Sequence, residues 1–492
     1  MSIQLAAAEG SRTANYKLLP FRFARLPGEG DAVLVTSEAG EFAFLTPVDF
    51  QDLANRHPIP LNLADDLEAI HVIRRGELDL PVRLLATKLR TRKSFLRSGP
   101  KLHIFVVTLS CDHSCRYCQV SRSMETGGRF EMSAETAAAA VNRLFEAPGE
   151  DLTIEFQGGE PLLAFDRIQQ IVELVVQRNA TEQRRVIFTI TSTLHHLTDE
   201  ILSFLKTHDF HVSTSVDGPA ALHNVNRPLP ARNSYELTVR GISRVREALG
   251  VDRLCALTTL TSSSLECPEA IIDEYVRLGF RSIFLRPLSP FGFAAKTGSR
   301  IGYSTKQFLA FYKKALDHIL HLNREGTPIV EVYTSILLSS MLTAFPTGYV
   351  DLRSPVGAGF GAMVYNYDGG VYASDEGRML AEMGNEALRL GLVHDHYEDL
   401  IRSQAMQLLA GAGLAESLPG CSDCAFVHYC GPDPAGSLAT SGDPVGHRAF
   451  SEHCKRHTGL FSSLFGRLAK ADPDTDRIFR EWAFGRPALE LE

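Results

Sequence analysis

Three cysteines within eight residues form the densest group of metal-binding side chains in this sequence. Cys111, Cys115 and Cys118 follow directly behind the apolar run 103–109, so we expect them on a loop that leaves a buried strand. A structural zinc or a closed iron–sulfur cubane takes four protein ligands. A set of three thiolates therefore predicts an iron–sulfur cluster with one open iron, where chemistry can take place. A Cys3His zinc site that includes His113 is the alternative.

Composition and charge limit the classes of protein that this chain can represent. Its 492 residues carry 50 Lys and Arg against 58 Asp and Glu, and the resulting net charge of −8 argues against a nucleic-acid partner. Residues 1–9 lack the basic and apolar segments of a signal peptide, and no run reaches the roughly 18 apolar residues of a membrane span. We therefore expect a cytoplasmic protein with no membrane partner, whose clustered cysteines bind metal rather than form disulfides.

Residues 103–325 alternate between strand-like and helix-like patterns, which is typical of an α/β fold with a parallel sheet. The predicted strands are 103–109, 152–157, 186–191, 211–216, 253–260 and 282–286. The predicted helices are 133–146, 164–176, 198–207, 234–249, 268–278 and 305–323. Six such units are fewer than the eight that close a full barrel.

The N-terminal residues 16–97 follow a different pattern. A hairpin is predicted from 32–37 and 41–45, followed by helical patterns of which the second spans 64–74. Hairpin and helices together resemble a small winged-helix module, and a plain scaffold domain is the alternative. The basic run at 88–101 ends beside a Ser-Gly-Pro segment and indicates a solvated linker.

Chemistry-bearing residues stand at the ends of the predicted strands, where parallel α/β proteins bind their ligands. The second strand runs into Gly158, Gly159 and Glu160. The two glycines let the backbone come close to a ligand, and the glutamate offers a carboxylate for the ammonium of a bound amino acid. Later strand ends add Ser192, Ser215, Asp217, Arg227 and Leu288. Taken singly, the Gly-Gly-Glu-Pro segment is also compatible with a plain turn, and Arg227 with a surface arginine.

A second group of cysteines lies near the C-terminus. Cys421, Cys424, Cys430 and Cys454 supply four thiols, which are enough to close an iron–sulfur cubane or a zinc site. Zinc ribbons share the C-x2-C element, so zinc stays open for this group.

In combination, these segments resemble one enzyme superfamily. The C-x3-C-x2-C loop, the Gly-Gly-Glu-Pro and Ser-Val-Asp-Gly-Pro segments and the C-terminal cysteines are similar to radical S-adenosylmethionine (SAM) enzymes with a SPASM extension. The resemblance implies a partial (β/α)6 TIM-like barrel, a small N-terminal α+β module that is winged-helix-like, and a SPASM-like C-terminal cluster domain. The implied division of the chain is 1–97, 98–325, 326–465 and a C-terminal tail at 466–492.

The same resemblance implies the cofactors and the residues that hold them. Cys111, Cys115 and Cys118 would hold a [4Fe–4S] cluster whose fourth iron binds SAM, and the four C-terminal cysteines would hold one auxiliary [4Fe–4S] cluster. Ser215 is implied to contact the ribose and Arg227 the carboxylate of SAM. The implied cofactor-binding set is Tyr117, Gly158, Gly159, Glu160, Ser192, Ser215, Asp217, Arg227 and Leu288, the last as an apolar wall against the adenine.

The sequence departs from this family in an ordered way. The cysteines of a further auxiliary cluster are replaced by Val356, Ser374 and Pro434, while all four of the C-terminal group are kept. This pattern favours a protein built with a single auxiliary cluster. Asp375 stands where sulfatase-maturing relatives have a catalytic base, so the resemblance implies that role for it.

The chain opens with a Leu-Leu-Pro-Phe-Arg-Phe segment, carries the segment Phe-Gln-Gly-Gly-Glu-Pro-Leu-Leu and has a reduced set of C-terminal cysteines. With these features it resembles, within the superfamily, the maturase of the His-Xaa-Ser peptide system. That resemblance implies a SAM-derived radical that takes a hydrogen from a ribosomally made precursor peptide, with flavodoxin or ferredoxin as reductant. A sulfatase-maturing enzyme that forms formylglycine is the alternative within the superfamily. A non-catalytic regulator that binds zinc is the alternative from another class.

Overall fold

The computed structural model describes residues 11–26, 32–77, 79–125 and 128–485. The N-terminal residues 1–10, from which we predicted that no signal peptide is present, lie outside this range. Over the described part of the chain, none of the helices combines the length and the apolar character needed to cross a bilayer.

The N-terminal residues form an α+β module around a three-stranded antiparallel sheet. The strands of the whole module are β1 (Arg12–Thr13), β2 (Lys17–Leu18), β3 (Phe21–Arg25), β4 (Val33–Ser37), β5 (Phe42–Leu45), β6 (Ile59–Pro60) and β7 (Ile73–Arg74). Of these, β3, β4 and β5 form the three-stranded sheet. The helices of the module are α1 (Pro47–Ala54), α2 (Leu61–Ala69) and α3 (Leu80–Arg92). The predicted hairpin corresponds to β4 and β5, and β3 pairs with β4 as a third strand.

The hairpin β4–β5 is buried on both faces because its side chains alternate between two cores. Val35 and Ala43 pack in a core of the module itself, whereas Leu34 and Phe44 belong to the main core of the protein. The helical pattern at 64–74 is shorter than predicted, because α2 ends at Ala69 and β7 pairs with β2.

The prediction of a solvated linker over the basic run is wrong for its first half. Residues 80–92 form α3, and Lys93, next to its end, pairs with Glu416 at 2.5 Å. Arg92 donates hydrogen bonds to backbone carbonyls of separate regions, those of Ala39, Gly40, Ser340, Thr343 and His428. A guanidinium has five donors, so one arginine can join several chain segments where a lysine could not.

A ten-stranded sheet forms the centre of the protein. Its strands are β8 (Leu102–Thr108), β9 (Asp151–Gly158), β10 (Arg185–Thr191), β11 (His211–Ser215), β12 (Leu254–Thr259), β13 (Ser282–Arg286), β14 (Val330–Glu331), β15 (Ala362–Tyr365), β16 (Gly370–Tyr372) and β17 (Arg389–Leu392). The order is β14-β13-β12-β11-β10-β9-β8-β15-β16-β17. Strands β8 to β14 are parallel to their neighbours, β15 pairs parallel with β8, and the last two strands are antiparallel.

The predicted α/β fold with a central parallel sheet is confirmed. The six predicted strands match β8 to β13 to within one residue at every end. The helices that connect and follow them are α4 (Ala134–Glu146), α5 (Phe165–Glu182), α6 (Asp199–Thr207), α7 (Ala220–Asn226), α8 (Ser234–Leu249), α9 (Pro268–Arg277), α10 (Gly292–Ile301), α11 (Thr305–Arg324) and α12 (Val332–Leu342). The short helices α7 and α10 were not predicted, and both follow the carboxyl end of a strand.

The two faces of the parallel strands differ in polarity. Parallel sheets are usually covered by helices on both faces and are apolar throughout. Here β11, β12 and β13 alternate between buried and half-buried residues. The half-buried face carries polar side chains such as Glu155, Thr191, Ser213 and Arg286. We refer to this as the polar face of the sheet.

The C-terminal region adds six helices: α13 (Asp375–Glu382), α14 (Tyr397–Ile401), α15 (Gln404–Ala412), α16 (Pro434–Ser441), α17 (Glu452–Lys470) and α18 (Pro473–Phe484). The predicted tail begins at residue 466, which lies in the middle of α17. Helix α18 is part of the folded core, because Trp482 and Phe479 are buried and the Ser335 hydroxyl of α12 donates to the Trp482 carbonyl at 2.8 Å.

Candidate active site

The three clustered cysteines lie on the loop that follows β8. Backbone hydrogen bonds hold this loop, since the Cys111 amide donates to the Ser123 carbonyl at 3.0 Å and the Ser123 amide to the Leu109 carbonyl at 2.7 Å. Burial raises the pKa of the Cys111 thiol, and it raises that of Cys115 to about 11. Cysteine thiolates are the usual ligands of iron–sulfur clusters, so this donor set fits a metal centre.

The glycines at the end of β9 allow this strand to pack against the cysteine loop. A Cβ atom on Gly158 would lie 2.0 Å from the Thr108 carbonyl oxygen, and one on Gly159 would lie 2.2 Å from that of Ser110. Both glycines therefore lie close to the protein's own backbone. Their predicted contact with SAM stays a prediction.

Glu160 joins the ends of two neighbouring strands. Its buried carboxylate accepts hydrogen bonds from the Ser192 hydroxyl at 2.8 Å, the Thr193 amide at 2.7 Å and the Leu162 amide at 3.1 Å. The structure thus brings together two of the predicted site residues, Glu160 after β9 and Ser192 after β10.

Tyr117, Asp217 and Arg227 form a buried polar group beside the cysteine loop. The Tyr117 hydroxyl donates to Asp217 Oδ1 at 3.0 Å and accepts from Arg227 Nη1 at 2.8 Å. Neither Asp217 Oδ2 nor Arg227 Nε has a hydrogen-bond partner among the described residues. Burial raises the pKa of Asp217 to about 6, against the opposing effect of Arg227. Buried polar atoms without partners are costly, so these two fit the polar groups of a bound ligand.

Four histidines surround the same loop, and the sequence did not single out three of them. Asp112 accepts from His113 Nδ1 at 2.8 Å and from His196 Nε2 at 3.1 Å. The ring centroids of His113 and His195 lie 4.6 Å apart, and His223 Nδ1 accepts from the Asp217 amide at 3.3 Å. The two adjacent histidines at 195 and 196, shortly after the end of β10, are the sequence feature from which this group could have been predicted.

The zinc alternative for this loop has some geometric support. Cys111, Asp112 and His113 have ligand atoms within 4.8 Å of one another. His113 Nδ1 is already engaged by Asp112, so only its Nε2 atom remains for a metal.

The remaining predicted site residues occupy different places. Ser215 is half-buried on the polar face at the end of β11, and the amide of Leu288, after β13, donates a hydrogen bond to the Tyr303 hydroxyl at 2.8 Å. Asp375 begins α13 and pairs with the buried Arg378 at 2.9 Å.

Two further carboxyl groups have raised pKa values, and neither was predicted from the sequence. Burial raises the pKa of Glu376 to about 8, with Asp351 and Asp375 adding to the effect. Burial also raises the pKa of Glu155, on the polar face, to about 7. Carboxyl groups that exchange protons near neutral pH are suited to acid–base chemistry.

The C-terminal cysteines also lie near one another. Burial raises the pKa values of Cys421, Cys424 and Cys430, and in each case neighbouring thiols of the group, including Cys454, add to the rise. Such a donor set fits a metal cluster for the reason given for the first loop. His453 lies next to this group, where the sequence did not predict it, and its Nε2 donates to the Gly431 carbonyl at 2.9 Å.

Three positions where a further cluster would need cysteines have structural roles. Val356 is buried in the main core. Ser374 accepts a hydrogen bond from the Gly377 amide as the N-cap of α13. Pro434 is the first residue of α16, where a proline costs no hydrogen bond.

The N-terminal module contacts the C-terminal cysteine segment directly. The Thr36 hydroxyl donates to the Ala425 carbonyl at 3.1 Å, and the Tyr429 hydroxyl donates to the Gly40 carbonyl at 3.0 Å. Arg22 also donates to the Ser422 carbonyl. The β4–β5 hairpin therefore packs on the segment that carries Cys421, Cys424 and Cys430.

Comparison with known proteins relates part of this chain to one family. Residues 105–279 match the family described as the Radical SAM superfamily. A cysteine-type anaerobic sulfatase-maturating enzyme of Clostridium perfringens is 30% identical over 135 residues, which are 26% of this chain and 36% of that protein. Among the curated relatives, the matches cover between 32% and 68% of the relative's length.

Two groups of solved structures share the fold over most of the chain. The structure of native anSMEcpe with bound AdoMet has a TM-score of 0.63 at 18% identity, and it covers 76% of this chain and 99% of that one. The structure of Streptococcus suis SuiB bound to precursor peptide SuiA has a TM-score of 0.51 at 13% identity, covering 90% of this chain and 100% of that one.

Proposed function

We propose that the protein is an enzyme of the radical SAM superfamily, whose family model matches residues 105–279, and that it uses a [4Fe–4S] cluster and SAM to modify a ribosomally made peptide. The observation that carries the proposal is that three half-buried thiols share the loop after β8 with Tyr117, which bonds to Asp217 and Arg227, while the buried Glu160 lies at the end of the next strand. The proposed ligands of the SAM-binding cluster are Cys111, Cys115 and Cys118.

The residues around this loop have the chemistry to bind and orient SAM. Cys111, Cys115 and Cys118 would hold a cluster that could supply the electron for cleavage of SAM and so give a radical able to remove hydrogen from a carbon atom. Arg227 would bind the carboxylate of SAM, because a buried guanidinium and a carboxylate form a strong charge-assisted pair. Glu160 would accept a hydrogen bond from the ammonium group of SAM. The Tyr117 hydroxyl bonds to both Arg227 and Asp217 and so fixes their positions relative to each other.

The polar face of the sheet is the proposed location of the substrate side chain. Glu155, with a pKa raised to about 7, is suited to exchange a proton with the substrate, and Asp375 remains a candidate base with Arg378 as its partner. The N-terminal module would hold the leader part of the peptide, since it is joined to the C-terminal cysteine segment. SuiB, which has a similar fold, was solved bound to precursor peptide SuiA, and this supports a peptide as the class of substrate.

A His-Xaa-Ser type precursor is the specific substrate that we propose. The support is the resemblance in the Leu-Leu-Pro-Phe-Arg-Phe and Phe-Gln-Gly-Gly-Glu-Pro-Leu-Leu segments and the reduced set of C-terminal cysteines. The four C-terminal cysteines would hold one auxiliary [4Fe–4S] cluster, and flavodoxin or ferredoxin would be the reductant.

A sulfatase-maturing activity is the second candidate. Its support is the relative of that name at 30% identity, although that match covers only 26% of this chain. Mass spectrometry separates the two candidates. The precursor peptide, co-expressed with the enzyme, should change in mass under the first proposal, and a sulfatase-derived Cys or Ser peptide should become formylglycine under the second.

Cleavage of SAM tests the class of chemistry most simply. Protein purified without oxygen should be brown and should produce 5′-deoxyadenosine from SAM and dithionite, and Cys115→Ala should abolish this product. Cys267→Ala, a thiol at the start of α9, is the matched control and should retain wild-type activity. Colourless wild-type protein with bound zinc would favour the non-catalytic regulator instead.

A further inference from the structure

A basic groove lies on the C-terminal side of the protein. It is formed by α11, α17 and the start of α18, and its volume is about 850 Å³. Six cationic side chains line it: Lys313, Arg324, Arg448, Lys455, Arg467 and Lys470. The carboxylates in its lining are Asp317 and Asp472.

The lining of the groove has four more cationic side chains than carboxylates. Arg467 pairs with Asp317 at 2.5 Å and Arg324 with Asp472 at 2.9 Å, which uses both carboxylates of the lining. Lys455 pairs at 2.8 Å with Glu452, which lies outside the lining. The whole chain has a net charge of −8, so this surface is opposite in sign to the protein as a whole. A local charge of this kind attracts a partner of opposite charge and speeds its encounter.

The groove leads to one of the C-terminal thiols. Cys454, on the first turn of α17, is part of its lining. Phe450 stands beside it with 77% of its surface exposed, next to the lining residue Ala449. An exposed aromatic side chain beside a charged surface is a typical anchor of a protein interface.

We propose that this groove is the docking surface for an acidic one-electron carrier protein of the flavodoxin or ferredoxin class. This inference rests on the proposed function, because it requires a cluster that receives electrons. The carrier would lie against Cys454, one of the four proposed ligands of the auxiliary cluster. In each encounter the carrier's reduced centre loses one electron and an iron–sulfur cluster of this protein gains it, and no covalent bond forms or breaks. An acidic peptide segment would be attracted by the same positive charges, but its chemistry gives it no reason to bind next to the Cys454 thiol.

Charge reversal in the groove tests the proposal with an internal control. The double variant Lys313→Glu/Lys455→Glu changes two exposed side chains, and Lys206→Glu with Lys296→Glu makes the same change of charge away from the groove. Stopped-flow absorbance would follow reduction of the reconstituted protein by reduced flavodoxin or by dithionite. We expect the groove variant to slow reduction by flavodoxin about tenfold at low salt, and the control to change it less than about twofold. Reduction by dithionite should stay at the wild-type rate in both.

The results of these experiments separate this proposal from the proposed function. Equal slowing of the flavodoxin reaction in both variants, or none in either, would overturn the docking surface. Calorimetric titration of the wild-type protein with oxidised flavodoxin and ferredoxin gives a second readout without turnover, and binding that is insensitive to salt or to the groove variant would also overturn it. A wild-type protein that holds iron but cannot be reduced by dithionite would contradict the proposed function instead.

Discussion

At the scale of single residues, the Tyr117 hydroxyl connects a carboxylate and a guanidinium that lie about a hundred positions away from it in the chain. Asp217 and Arg227 both bond to it, and each keeps one buried polar atom free of partners in the described part of the protein. A ligand that fills this site would meet both groups already in position. Preorganisation of this kind lowers the entropic cost of binding.

Removing this hydroxyl should weaken SAM binding. Tyr117→Phe leaves Asp217 and Arg227 without their shared partner, and the loss of one buried hydrogen bond to a charged group costs about 1.5 to 3 kcal/mol. We expect the dissociation constant for SAM, measured by calorimetry, to rise about tenfold or more. The iron content should be unchanged. Tyr235→Phe, on α8, is the control, and an unaltered SAM affinity in Tyr117→Phe would contradict the assigned role.

The raised pKa of Glu376 makes a pH-dependent prediction. Burial raises it from 4.5 to about 8, so the folded protein holds a proton that the unfolded chain releases. Stability from this group is complete below the unfolded pKa and is lost as the pH rises through about 8. Glu376→Gln has no group that ionises at this position. The thermal midpoint of this variant should therefore rise relative to that of the wild type as the pH increases. The exposed Glu398→Gln should show no such trend. A constant difference across the pH range would contradict the prediction.

The sequence predicted these residues unevenly, for a physical reason. The cysteines, Glu160, Asp217 and Arg227 stand in local patterns whose spacing can be read directly. Asp112 and His196 are 84 positions apart and meet only because β8 and β10 end at the same edge of the sheet. Tertiary pairs of this kind leave no local pattern, and the same holds for Glu155 and Glu376.

At the scale of elements, the contact between the end of β9 and the cysteine loop depends on glycine. Gly159→Ala would place its Cβ 2.2 Å from the Ser110 carbonyl oxygen and 2.5 Å from that of Leu109, so the loop must move. We expect a lower iron content per chain, because the three thiols lose their common position. Gly411→Ala, on α15 with no atom within 4 Å of the new Cβ, is the control. Full iron occupancy in Gly159→Ala would show that the loop tolerates the shift.

The basic residues at the end of helix α3 belong to the folded protein and not to a linker. Its basic residues suggested a solvated linker, yet Arg92 bonds to the β4–β5 turn and to the residues around the end of α12. The strands were predicted to within one residue because apolar and β-branched residues mark them locally, whereas a hydrogen bond from a cation to a distant carbonyl has no such signal.

Loss of the Arg92 side chain should destabilise the protein. Arg92→Ala leaves several backbone carbonyls without their donor, so we expect the thermal midpoint to fall by at least about 2 °C. Arg90→Ala, two positions earlier and exposed, should change it by less than about 1 °C. Equal midpoints for the two variants would show that Arg92 is dispensable.

At the scale of the whole molecule, the N-terminal module and the C-terminal region were predicted as separate units, and they are in direct contact. The hairpin of the N-terminal module packs on the C-terminal cysteine segment, and ring pairs such as Phe42 with Phe465, 4.9 Å apart, extend that contact. Deleting residues 16–97 would therefore expose apolar surface as well as remove the proposed site of leader-peptide binding. Loss of peptide modification in that deletion would not distinguish the two effects, so point variants on β3 are the better test of peptide binding.

The iron content of the reconstituted protein shows whether the chain holds two iron–sulfur clusters. Three thiolates on the first loop and four at the C-terminus would hold one cubane each, so the wild type should contain about eight irons per chain. Replacing Cys111, Cys115 and Cys118 together by alanine should leave about four irons and no 5′-deoxyadenosine production. The control Cys267→Ala should keep about eight. About four irons with one zinc in the wild type would make the C-terminal site a zinc site. An unchanged iron content in the triple variant would contradict the account of the first loop.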